Sequence, residues 1–227
     1  SFTIGLLNAL YAYCGKKTAK EYLAGEACEI EIDILGEPIG KQDQYATAFG
    51  GFNVLRFDPS GMVLVEPLHL PKDTYQTLQN NLLMFYLGNQ RNASQILSEQ
   101  RDNLKSKSKV EILKEMVSLV WTVRDVLYGG KLDDFGRLLH ENWQLKQQLA
   151  SQVSNSSINS LYETALKNGA LGGKVLGAGG GGFILFYAQP EQHDRLRAAL
   201  APLKEMKFRF ENEGTKLIYV GDEYLED

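Results

Sequence analysis

The chain has 227 residues, 44% of them hydrophobic, which is enough to bury a sizeable core and falls between one and two domains. A formal net charge of −4 gives no basic footprint for a nucleic acid, and no apolar stretch approaches the roughly twenty residues of a membrane span. Two cysteines without CxxC or His-paired spacing read as core residues of a protein from a reducing cytoplasm rather than as ligands or a disulfide.

Residues 2–15 place Phe2, Leu6, Leu10 and Cys14 at four-residue spacing beside Leu7 and Tyr11, which predicts a helix buried on that face and ended by Gly15. Thr18-Ala19-Lys20-Glu21 matches a capping box, and the helix it opens runs to about Asp33. Leu23, Ala27, Ile30 and Ile34 form its apolar stripe, and Glu26, Glu29 and Asp33 its solvent face. Glu31 belongs to neither stripe and is expected to point toward packed structure, where a carboxylate needs a donor or a cation.

Next comes Gly36-Glu37-Pro38-Ile39-Gly40-Lys41-Gln42-Asp43-Gln44, a loop bounded by glycines that holds one carboxylate, Asp43. Taken alone, Asp43 there is a turn former, a solvated charge or a catalytic group. Asp58-Pro59-Ser60-Gly61 has the residues of a type I turn between apolar runs, predicting a hairpin. The stretch from Pro67 to Asp73 is the boundary candidate, dividing the chain into residues 1–73 and 74–227, and residues 82–87 read as a short buried strand.

Helical spacing then recurs at Val110 to Leu127, Leu132 to Trp143 and Ile158 to Leu166, with aromatic residues expected in the core. Lys174 stands in a strand that leads into Gly177-Ala178-Gly179-Gly180-Gly181-Gly182, and a further strand spans residues 183–188. Such a glycine run makes a tight hairpin, a close backbone crossing, or a set of unhindered N–H groups for an anion; it is not a GxxxxGK[ST] loop. A helix begun by Pro190 and two strands, at residues 207–210 and 216–220, complete an α+β pattern. His69, His140 and His193 are too dispersed to suggest a metal site.

The order and separation of the two glycine segments resemble the GHMP kinases, the superfamily of galactokinase, homoserine kinase and mevalonate kinase. Gly36-x-Pro38-x-Gly40-x-x-Asp43-Gln44 is similar to the GxPxGxxDQ segment of galactokinases, and Lys174 to Gly182 looks like the third motif of the superfamily. The run from Glu31 to Asn53 most resembles the bacterial D-glycero-D-manno-heptose 7-phosphate kinases.

The resemblance implies the two-domain GHMP architecture: the C-terminal part of a first domain, then a ferredoxin-like α+β domain with added helices. It implies transfer of the γ-phosphoryl group of ATP to an anomeric sugar hydroxyl. The alternatives are another sugar kinase of galactokinase type and a non-catalytic relative that binds sugar or nucleotide. Asp43 would accept or orient the hydroxyl proton. Ser1, Gly177, Ala178, Gly179, Gly180, Gly181 and Gly182 would hold the nucleotide, and Glu31 and Ser1 would hold Mg²⁺. Gly40, Lys41, Gln44 and Arg91 would meet the sugar phosphate, although Lys41 and Arg91 also read as surface charges or partners of Glu37. Ser1 resembles the last serine of the superfamily's phosphate loop, which implies a start inside the nucleotide site. Residues 1–227 alone are on that reading expected to be neither an active kinase nor a complete domain. The expected partner is a small sugar phosphate, with no nucleic acid or membrane, in the cytoplasm.

Overall fold

A computed structural model describes residues 1–88, 93–219 and 221. The chain groups into two compact units, Ser1–His69 together with the segment from Phe210, and Leu70–Arg209. It thus passes between the units twice, with the segment from Phe210 grouped with the first unit.

The first unit opens with α1 (Phe2–Tyr13) and α2 (Lys20–Cys28), continued by a π-helix (Glu29–Ile34). Then come α3 (Gln42–Phe49) and the antiparallel pair β1 (Asn53–Phe57) and β2 (Val63–Pro67). The hairpin turn forms as its residues predict: the Gly61 N–H donates to the Asp58 carbonyl at 2.9 Å, and the Asp58 carboxylate accepts the Ser60 N–H at 2.8 Å. Ile4, Leu23, Ala24, Ala27, Cys28, Tyr45 and Ala48 make the core of this unit, with Leu7 and Tyr11 packed against it.

That core corrects the expected face of α1. Ile4 is buried, while Phe2, Leu6 and Leu10 are 81%, 46% and 51% exposed and Cys14 is exposed as well. The helix is apolar nearly all round, so the stripe that meets α2 and α3 is chosen by its neighbours and not by its own pattern. Cys28 is a core residue as expected, and burial pushes its thiol up from the ordinary value, with the nearby Lys41 ammonium acting in the opposite direction. The expected capping box is absent, because α2 begins with Ala19 as its N-cap and no side chain caps it.

In the second unit, α4 (Lys72–Asn80) precedes β3 (Leu82–Tyr86), and α5 (Ala93–Asn103), α6 (Lys107–Tyr128), α7 (Leu132–Gln147) and α8 (Ser156–Lys167) follow. The chain then makes β4 (Ala170–Val175), β5 (Phe183–Ala188), a 3₁₀ turn (Pro190–Gln192), α9 (His193–Ala199) and β6 (Lys204–Glu205). All neighbours in the sheet β4-β5-β3-β6 are antiparallel. Leu83, Phe85, Trp143, Tyr162, Ile184 and Phe186 are among its core residues.

Helix α7 lies directly on β4. A Cβ on Gly172 would stand 2.0 Å from the Gly136 carbonyl oxygen, so glycine is what allows helix and strand backbones to approach this closely.

Two expectations fail. The strand near the end is β6, paired with Phe85 and Tyr86, and neither 207–210 nor 216–219 forms a strand; residue 220 lies outside the described residues. Apolar alternation marks a segment that could pair but supplies no partner. Trp121 is 38% exposed, with the Arg124 guanidinium 4.9 Å from its ring, whereas Trp143 is fully buried as expected of a core aromatic. Among the described residues, no helix is long and apolar enough to cross a membrane.

Candidate active site

The residues singled out from sequence fall in both units, and each unit builds its share separately. In the first, the π-helix determines which way Glu31 faces. Its wide turns show in the Leu35 N–H, which reaches back to the Ile30 carbonyl at 2.9 Å, and in the Glu37 N–H, which reaches the Glu31 carbonyl at 3.0 Å. The extra residue per turn shifts the side chains out of α-helical register. Ile34, expected on the apolar stripe, is consequently 69% exposed, and Leu35 is 66% exposed.

Glu31 turns inward, as its sequence position predicts. Thr3 Oγ1 from α1 donates to Glu31 Oε1, and Gln44 Nε2 from α3 donates to Glu31 Oε2. Three helical segments therefore meet on one half-buried carboxylate.

Helix α3 buries Gln44, Tyr45 and Ala48 and leaves Asp43 in solvent. Asp43 lies in the first turn of this helix rather than in the preceding loop, where a negative side chain sits beside unpaired N–H groups and the positive end of the helix dipole. Lys41 is the N-cap residue and half-buried, and Gly40 before it is exposed. Gln44, expected to touch substrate, is only 2% exposed and is engaged with Glu31; it stands behind the carboxylate, not at an open surface. Arg91 lies outside the described residues.

The hydroxyl that reaches Glu31 is that of Thr3, while Ser1 is the N-cap of α1 without a side-chain capping bond. Ser1 lines a cavity of about 530 Å³ together with Gly5, Thr47, Gly51, Thr215 and Lys216. No group of three or more His, Cys, Asp or Glu side chains able to hold a metal exists among the described residues. The first unit does offer one carboxylate, Glu31, with the Thr3 hydroxyl against it, a donor type that suits Mg²⁺, an ion usually held by one or two carboxylates plus phosphate and water.

In the second unit the glycine run joins β4 to β5. Gly177, Gly179, Gly180 and Gly182 all have positive φ, between 65° and 98°, a conformation that side chains disfavour. The loop is anchored from several sides. The Gly180 N–H donates to the Val153 carbonyl at 2.7 Å, Lys146 Nζ donates to the Gly177 carbonyl, and the Leu87 N–H donates to the Gly182 carbonyl at 2.8 Å. Gly180 is thus committed within the fold, so its N–H is not one of the groups open to an anion.

Just before the loop, Lys174 Nζ donates to Asn142 Oδ1 at 3.2 Å, and burial pushes the ammonium below the ordinary lysine value. His140 stacks on Tyr162, whose hydroxyl also meets the Gly173 backbone, so this histidine serves packing. Sequence reading missed Thr3 and Lys146. Neither carries a local signal, since each acquires its role from a partner 28 or 31 positions away.

Residues 123–204 match the family described as GHMP kinases C terminal, a stretch inside the second unit that runs from α6 into β6. Over 220 residues the chain is 29% identical to the D-glycero-alpha-D-manno-heptose 7-phosphate kinase of Campylobacter jejuni, covering 95% of this chain and 64% of that protein. It is 28% identical to the L-fucokinase/L-fucose-1-P guanylyltransferase of Bacteroides fragilis, covering 86% of this chain and 21% of the relative. The crystal structure of a D-glycero-D-manno-heptose 1-phosphate kinase from Bacteroides thetaiotaomicron superposes with a TM-score of 0.71 at 25% identity, covering 96% of this chain and 61% of that one. The chain thus spans less than two thirds of the heptose kinases that it matches. With its α+β fold, the chain thus contains a GHMP kinase C-terminal domain at residues 123–204 and is similar over nearly its whole length to a heptose phosphate kinase.

Proposed function

We propose that the protein acts as an ATP-dependent sugar kinase, transferring the γ-phosphoryl group to the anomeric hydroxyl of D-glycero-D-manno-heptose 7-phosphate in the cytoplasm. The observation that carries this reading is the Glu31 carboxylate, turned inward by a π-helix and held by Thr3 and Gln44, on the helix pair that also presents Asp43. The heptose specificity draws its support from the relatives in Campylobacter and Bacteroides.

Phosphoryl transfer asks for positioning and for neutralisation of phosphate charge more than for covalent chemistry. Asp43 is exposed at the start of α3 and free to orient the acceptor hydroxyl or take its proton. Lys41, beside that helix start, gives the sugar phosphate a cation. Within the first unit the N-terminus of α1 at Ser1 suits a phosphate, and within the second unit the 177–182 loop offers an anion its N–H groups other than that of Gly180. Glu31 with the Ser1 or Thr3 hydroxyl would hold Mg²⁺, which when bound neutralises charge on the transferring phosphates.

A panel of hexoses, heptoses and their phosphates, assayed with ATP and the full-length protein, tests the reading. The heptose 7-phosphate is expected to exceed the other sugars in kcat/KM by about a hundredfold or more, as for a site that pairs a buried or clamped charge with its substrate. Preference for fucose or galactose would favour the second reading, another anomeric sugar kinase, which the fucokinase relative supports. Sugar or nucleotide binding without turnover would point to a non-catalytic regulator.

A further inference from the structure

Gln44 is a buried polar side chain used in one direction only. It is 2% exposed, its Nε2 donates to Glu31 Oε2, and its Oε1 is buried without a hydrogen-bond partner. The amide has no freedom to turn over. An ionised carboxylate only accepts hydrogen bonds, so the NH₂ edge must face Glu31, and the unpaired carbonyl oxygen is the consequence. Leucine or methionine would fill nearly the same space without a stranded carbonyl, but would leave Glu31 Oε2 without its donor. Packing therefore does not account for glutamine here, and the neighbours that share the buried face, Tyr45 and Ala48, belong to the hydrophobic core.

We propose that Gln44 is a positioning residue, holding the Glu31 carboxylate in the orientation from which its remaining lone pairs take a divalent cation. Thr3 on α1 fixes one oxygen and Gln44 on α3 the other, leaving each oxygen a further lone pair. Because Asp43 precedes Gln44 on α3, the same bond ties the carboxylate to the helix that presents the acceptor-orienting group. The inference rests on the kinase reading for the role of Glu31, but not for the bond between Gln44 and Glu31.

The test compares Gln44→Leu and Gln44→Met with Glu31→Gln in the full-length protein. Mn²⁺ binding is titrated calorimetrically in the presence of a non-hydrolysable ATP analogue, and thermal unfolding is followed in parallel. Both Gln44 variants are expected to weaken Mn²⁺ binding by about tenfold or more, as outer-shell partners of metal ligands do, and the unfolding temperature reports separately what the lost bond contributes to stability. A second readout needs neither metal nor substrate. The ¹³Cδ resonance of Glu31, assigned by its loss in Glu31→Gln, is expected to move in the Gln44 variants of metal-free protein.

Unchanged Mn²⁺ binding in the Gln44 variants, while Glu31→Gln weakens it, would overturn the proposal and leave the kinase reading standing. A stationary Glu31 resonance would overturn it too. If the resonance moves but none of the three substitutions affects Mn²⁺, the metal role of Glu31 fails and the positioning role falls with it. A lowered unfolding temperature in both Gln44 variants with Mn²⁺ affinity intact would return Gln44 to packing.

Discussion

Asp43 and Gln44 are adjacent, yet one stands in solvent and the other is sealed behind Glu31. The exposed member is the one able to meet an acceptor. Asp43→Asn is expected to leave ATP binding nearly intact while lowering kcat by at least about a hundredfold, a loss appropriate to a positioned acid-base or orienting group. Steady-state turnover alongside nucleotide titration checks this, and near-wild-type turnover would remove Asp43 from the chemistry. Lys174 gives a prediction of a different kind. Burial depresses its folded-state pKa, so between that value and the ordinary lysine value the unfolded chain binds more protons, and this residue makes stability rise with pH across that window. Lys174→Met is expected to remove the rise. Tyr162 and Tyr187, raised by burial, act with the opposite sign above the ordinary tyrosine value, so the difference between variant and wild type in urea midpoints is the quantity to follow.

Among the elements, α3 shows how much a helix owes to what grips its end. The Gly51 N–H donates to the Glu211 carbonyl at 2.6 Å, the Thr215 N–H donates to the Thr47 carbonyl at 3.0 Å, and Lys20 Nζ bridges the carbonyls of Phe49 and Glu213. Gly50 lies at the crossing with φ 66° and ψ 178°, and a Cβ there would stand 2.1 Å from the Gly214 nitrogen. Gly50→Ala is accordingly expected to cost about 2–4 kcal/mol, from a backbone conformation nearly reserved for glycine and a clash with main chain that has no side chain to move. Gly61→Ala is the control, with φ at 91° but nothing within 4 Å, and should cost about 1–2 kcal/mol. Denaturant unfolding followed by circular dichroism separates the two; equal costs would mean that the crossing is looser than described.

At the scale of the whole molecule there are two cores, one built on α1, α2 and α3 and one on the four-stranded sheet. Both tryptophans of the chain, Trp121 and Trp143, lie in the second unit, so tryptophan fluorescence follows that core. Phe186→Ala is expected to lower the fluorescence-detected stability by about 3–5 kcal/mol, the usual cost of emptying a buried aromatic site. Leu23→Ala, in the other core, is expected to cost about 2–5 kcal/mol and to appear as faster amide exchange along α1 and α2. Unaltered exchange there would mean that Leu23 is not a structural member of that core.

Whatever depends on neighbours along the chain is legible from the residues alone. Helical spacing was sufficient for α6, α7 and α8, turn chemistry for the β1–β2 hairpin, and the glycine run for a loop in left-handed conformations between β4 and β5. The inward turn of Glu31 agrees with its place outside both expected stripes, but the π-helix that sets its direction is not written in that pattern. The short polar helices α4 and α5 are hard to read from sequence, since each buries a single apolar side chain, Leu78 and Ile96. Only the tertiary structure chose which stripe of α1 is buried, opened the π-turn, put Gln44 behind Glu31 and returned the segment from Phe210 to the first unit. The physical reason is that each of these depends on partners far along the chain. Thr3 and Gln44 find Glu31 across 28 and 13 residues, and Asn8 meets Thr215 across 207. A local pattern records that a face is apolar or a side chain polar, while packing decides what that face covers and which donor the carboxylate receives.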